Sequence, residues 1–151
     1  MISIITIIQL YIAILVVTII HELGHDLLSD GKIGGSGRIK IKKLFPIPQM
    51  YSQNARSRYG GLIFNAITAI IIMITEPQII FLQIIGLISF LYLVLYLITG
   101  SILPEPRPST VPKNFAFDDI PNKKWPAAVG MAILFIIGLG PYYLEIIKGI
   151  I

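Results

Sequence analysis

Tyr11-Ile12-Ala13-Ile14-Leu15-Val16-Val17-Thr18-Ile19-Ile20-His21-Glu22-Leu23-Gly24-His25 is the stretch on which the reading of this chain turns. An uncharged apolar run beginning at Met1 feeds directly into two histidines and a glutamate. The helical pattern extends through Leu28, and Asp30-Gly31 stops it, since glycine supplies the helix-ending conformation. About 20 apolar residues suffice to cross the hydrocarbon core of a bilayer. Ionisable groups placed in such a segment are costly, so they are expected to have a use.

The rest of the chain repeats the apolar theme. Of 151 residues, 55% are hydrophobic and only 13% are charged, and the mean hydropathy is +0.82. The chain is more apolar and less charged than a typical soluble domain, which leaves almost no room for a separate soluble domain. The sequence predicts one integral membrane domain, all-α and polytopic, with spans over 2–28, 60–75, 79–103 and 126–147. The second run is slightly short for a span. Glu76-Pro77-Gln78 reads as a tight turn, and Pro126 suits a first helical position. Trp125 and Tyr142-Tyr143 suit the two membrane interfaces. The first 20 residues lack a basic residue and a small-residue cleavage site, so they read as a retained span. No cysteine is present, which excludes disulfides, cysteine–zinc sites and thiol catalysis.

Charge sets an expected orientation. Loop 31–58 holds Lys32, Arg38, Lys40, Lys42, Lys43, Arg56 and Arg58, and loop 104–125 holds Arg107, Lys113, Lys123 and Lys124. Four spans put both loops on one side, with only Lys148 opposite. By the positive-inside rule that side is cytoplasmic, and a prokaryotic plasma membrane is the expected location. No nucleic-acid partner is expected. Within the first loop, Arg38-Ile39-Lys40-Ile41-Lys42 alternates polar and apolar residues, the period of a strand, and Pro46 and Pro48 are expected to end it. The reading is a short hairpin at the membrane surface. The five prolines of the second loop favour extended chain.

His21 and His25 are four apart and share one helix face. Neutral imidazoles at this spacing suit Zn2+. Glu22 lies one step round the helix, placed to take a proton from a water that the metal acidifies. Gly24 leaves space for a close approach. The alternative is a set of interfacial polar residues bonded to neighbouring helices or water. A catalytic zinc normally takes three protein ligands, and two are evident. Of the remaining acids on that side, Asp26 and Asp30 are off the histidine face. Glu105, Asp118 and Asp119 lie in the second loop, and each taken singly reads as a solvated residue or a cap.

Across roughly residues 10 to 110 the sequence resembles the site-2 protease family of intramembrane zinc metalloproteases. The resemblance is carried by His21-Glu22-Leu23-Gly24-His25, by the glycine-rich, strand-like segment after it, and by Gly61-Leu62-Ile63-Phe64-Asn65 opening the next span. The family has a glycine, a proline, two variable residues and an asparagine at the third place; Gly61 and Asn65 match, and Leu62 replaces the proline. The resemblance implies hydrolysis of a peptide bond in or near a transmembrane segment of a membrane protein, with Glu22 as general base. Asn65 then places substrate or stabilises the oxyanion, a use of a preorganised donor, or else makes an interhelical hydrogen bond. The strand at Arg38–Lys42 holds substrate by strand addition or contacts anionic headgroups. The family's last motif, with the aspartate that completes the zinc site, is altered. Its aspartate-glycine falls on Ser109-Thr110, so either Asp118 or Asp119 is the third ligand, or the site is incomplete. An incomplete site implies the second expectation, a non-catalytic structural or regulatory subunit of a membrane complex, with partner subunits. A third and weaker reading, conduction of protons or metal ions through His21, Glu22 and His25, lacks further polar positions along span one beyond Thr6, Gln9 and Thr18.

Overall fold

The computed structural model describes residues 3–28, 33–34, 40–42, 45–47, 51–52, 59–102 and 125–150. Among them are four helices: α1 (Ile4–Leu27), α2 (Gly60–Thr75), α3 (Ile80–Ile102) and α4 (Trp125–Ile150). Ser3 starts α1 as an N-cap, its Oγ accepting the Thr6 backbone N–H at 3.1 Å, which satisfies one of the donors a helix start leaves unpaired. α2 ends at Glu76, whose left-handed backbone (φ 41°, ψ 55°) lets its N–H donate to the Ile72 carbonyl. Pro77 then forbids continuation. Gln83 Nε2 donates to the Pro77 carbonyl at 2.8 Å, tying the turn to the first turn of α3. The tight turn expected at Glu76-Pro77-Gln78 is therefore built, and it makes α2 and α3 an antiparallel pair.

Helix lengths depart slightly from the expected spans. α4 starts at Trp125 rather than Pro126 and continues past Ile147 to Ile150. It also holds Pro141 in its interior, which removes the N–H that would otherwise meet the Ile137 carbonyl. α1, α3 and α4 are long and apolar enough to cross a membrane. The 16 residues of α2 reach about 24 Å at 1.5 Å per residue, short of a hydrocarbon core. Large apolar side chains stand uncovered on the outer faces, among them Ile4, Ile74, Leu134 and Ile137, each about 70% exposed or more. Water would penalise such a surface, and a bilayer would not.

α3 is the central helix. In its apolar window 44% is buried, against 17% for α1 and 22% for α4. Three clusters surround it. Ala13 and Val17 of α1 meet Ile84 and Ile85. Leu62 of α2 meets Leu93 and Leu97, with Ala128 and Ala132 of α4 behind them. Ala69 meets Leu87 and Phe90, with Leu139 and Tyr143 of α4. Tyr143, expected at an interface beside Tyr142, is instead fully buried. Its ring stacks on Phe90 at 5.0 Å, and its hydroxyl donates to the Ala69 carbonyl at 2.6 Å. A Cβ at Gly86 would meet that hydroxyl. A buried phenol needs a partner, and the Ala69 carbonyl supplies it within the helix bundle.

Between α1 and α2 the described residues form only fragments: β1 (Ile33–Gly34), β2 (Lys40–Lys42), β3 (Phe45–Ile47) and β4 (Tyr51–Ser52). β1 pairs antiparallel with β4 and β2 with β3. The strand expected over Arg38–Lys42 is described only over Lys40–Lys42, and Pro46 lies within β3, opposite Ile41, rather than ending the segment. A two-stranded ladder leaves one edge of each strand open, so the missing proline N–H is tolerated. These ladders of two and three residues do not amount to the expected membrane-associated hairpin; the architecture is helical.

Candidate metal centre

The site forms where α1 crosses α2. Gly24 and Gly60 face each other so closely that a Cβ on either would collide with the backbone of the other. The space foreseen at Gly24 is thus filled by the α2 backbone. Small residues at a crossing let two helix backbones approach in an apolar medium. Close approach brings the first turns of α2 against the last turns of α1. The place of a Gly61 Cβ is occupied by the imidazole of His21.

His21 is 3% exposed. Its ring is held on several sides. Asn65 Nδ2 lies 3.1 Å from its Nδ1, and His25 Nε2 lies 3.2 Å from its Nε2. Tyr96 and Tyr92 of α3 flank it, with ring centroids at 5.1 Å and 5.6 Å. The two tyrosines stack on each other at 5.1 Å. The amide nitrogen of Asn65 only donates, so His21 Nδ1 accepts and the proton of the neutral ring sits on Nε2. In this arrangement His25 Nε2 is the acceptor.

The ligand atoms of His21, Glu22 and His25 lie within 4.8 Å of one another. The 3.2 Å between the two Nε2 atoms can be set against zinc chemistry. Two nitrogens on a tetrahedral zinc, each about 2.0–2.1 Å from it, stand about 3.3 Å apart. The separation of the two nitrogens matches that spacing. Glu22 is partly buried at the edge of the group.

Several expected residues fall elsewhere. Asp118 and Asp119, the alternatives for a third ligand, lie outside the described residues, as do Asp30 and Glu105; the side chain of Asp26 is outside them too. Asn65, fully buried, meets His21 itself, which is the interhelical hydrogen bond among its two expected uses. The sequence reading passed over Tyr92 and Tyr96, the two rings against His21. A signal was present: Tyr92 and Tyr96 are four apart, the spacing of one helix face.

No family model, curated protein or solved structure matches the chain.

Proposed function

We propose that the chain is an intramembrane zinc metalloprotease of the site-2 type. The observation that carries this reading is the 3.2 Å approach of His21 Nε2 and His25 Nε2, beside Glu22 and at the end of an apolar helix long enough to span. In this reading the protein is multi-pass, with loops 31–58 and 104–125 cytoplasmic in a prokaryotic plasma membrane. Its substrate is a transmembrane segment of another membrane protein.

His21 and His25 would hold the ion, and Asp118, or Asp119 in its place, would complete the set. Bound zinc supplies Lewis-acid polarisation of the scissile carbonyl and lowers the pKa of water. Glu22 takes the proton of the attacking water on its carboxylate and returns it to the leaving amine. The α1–α2 crossing and the tyrosine pair on α3 shield His21, which strengthens each electrostatic contact there. A substrate helix has its carbonyls engaged in its own hydrogen bonds, so it unwinds locally before cleavage. The open edge of β2 is where the unwound segment adds as a strand.

A second reading has its own support. Among the described residues, His21, Glu22 and His25 are the only such metal-ligating group; with Glu22 kept as base, two ligands remain, and a catalytic zinc normally has three. Without a third, the chain is a structural or regulatory subunit of a membrane complex.

Metal content of the detergent-purified protein separates the two. About one zinc per chain, lost in His21→Ala/His25→Ala, supports the protease. Glu22→Gln then keeps the zinc and lowers cleavage of a reconstituted transmembrane substrate by roughly 10²–10⁴-fold, the usual contribution of a general base. A wild-type protein that takes up no zinc at neutral pH is the subunit.

A further inference from the structure

α2 and α4 both pack along α3 but meet each other little. The space between them is a groove of about 460 Å³. Leu93 and Leu97 of α3 form its floor. Small side chains keep it open, Ala66 on the α2 wall and Ala127 and Ala128 on the α4 wall. Tyr59, at one end, is the only lining residue with a side-chain oxygen or nitrogen. Ile63, Ile67 and Met131 are lining residues that also stand exposed, so the groove opens outward from the bundle. None of His21, Glu22 and His25 lines it.

Its dimensions decide what fits. The α2 wall runs from Tyr59 to Ile70, about 16 Å at 1.5 Å per residue. That is the depth of one leaflet, half of a hydrocarbon core of about 30 Å. Spread over this length, the volume gives a cross-section of about 30 Å². A helix about 10 Å across needs about 80 Å². A hydrocarbon chain is one row of carbons wide, and with carbon contacts at about 3.5–4.0 Å it needs about 20 Å². The groove therefore suits a single extended chain and is too narrow for a helix.

Charge distinguishes the two ends. α2 and α4 both run antiparallel to α3, so both begin at the Tyr59 end. Two helix N-termini there share partial positive charge, and neither helix has an acidic residue in its first turn. In the sequence, Arg56 and Arg58 come just before α2, and Lys123 and Lys124 come just before α4. Basic residues next to membrane helices attract anionic lipid headgroups. We propose that the groove binds one acyl chain of an anionic phospholipid, with the headgroup at the shared start of α2 and α4. The chain covers Leu93 and Leu97 where α2 and α4 leave α3 open. Zinc takes no part in this binding, so it stands or falls apart from the metal centre.

The test is lipid retention. Detergent-purified protein is mixed with equal amounts of phosphatidylglycerol and phosphatidylcholine bearing the same chains, and bound lipid is counted by native mass spectrometry. The wild type, which needs no substitution, is expected to keep one phosphatidylglycerol per chain, preferred over phosphatidylcholine by about 5-fold or more. Arg58→Gln and Lys124→Gln each lower that preference by about 5-fold. Ala66→Phe and Ala127→Phe put a ring into the groove and abolish retention, with helix content checked for both. Ile137→Phe, on an exposed face of α4 outside the groove, keeps the lipid. Equal retention of the two lipids by the wild type overturns the proposal. So does undiminished retention in folded Ala66→Phe and Ala127→Phe, which would leave the headgroup held without the groove. A wild type that keeps no lipid overturns it too; if that protein is a dimer on gel filtration and Ala127→Phe is not, the groove belongs to a second copy.

Discussion

Replacing Gly61 with alanine would strike the candidate site through its neighbour. The new Cβ would stand 2.6 Å from Cδ2 of His21, with Cε1 and Nε2 nearer still. Ordinary carbon contacts lie at about 3.5–4.0 Å, so the ring has to yield by about 1 Å. It has little room, because Tyr92, Tyr96 and His25 surround it. Overpacking of this kind costs about 1–3 kcal/mol. Metal ligation is less tolerant still, since a site requires its distances within about 0.2 Å. For the proposed zinc site the expected result is a folded protein, modestly destabilised, whose zinc affinity falls by about 10–100-fold. Chelator competition reads the affinity, and thermal unfolding in detergent reads the stability. Gly138→Ala is the control, for a Cβ there meets nothing within 4 Å; it leaves zinc binding alone and stabilises α4 by about 0.5–1 kcal/mol. A Gly61→Ala protein that binds zinc like the wild type would refute the claim that α2 seats the histidine.

Other perturbations separate the fold from the chemistry. Gly24→Ala and Gly60→Ala each drive a Cβ into backbone rather than into a side chain, so no rotamer change relieves them. Both are expected to part α1 from α2, with a loss above about 3 kcal/mol and early digestion by protease; wild-type protease resistance would contradict the close crossing. Tyr143→Phe removes the bond to the Ala69 carbonyl and should lower stability by about 0.5–1.5 kcal/mol, read as an earlier unfolding midpoint with zinc affinity unchanged. A change in affinity at the proposed zinc site would mean that the α2–α4 contact reaches it.

The apolar runs and their punctuation determined the helices. The Glu76-Pro77 turn marks an end that any apolar helix in this chain respects, because it acts on the backbone locally. His21 and His25 were paired by the helical repeat alone, since residues four apart share a face in every α-helix. Tertiary structure decided what surrounds them. Nothing local to Gly60 or Gly61 announces that one touches the Gly24 backbone and the other makes room for an imidazole. That follows from the crossing of α1 and α2, which only whole-chain packing sets. The same holds for Tyr143, whose place beside Tyr142 suggested a membrane interface and whose hydroxyl instead reaches the Ala69 carbonyl across the bundle. Asn65 is the plainest case. The sequence left it a choice between substrate and a neighbouring helix, and the register between α1 and α2 set its amide on His21, because a buried amide in an apolar medium takes the partner that packing brings within reach.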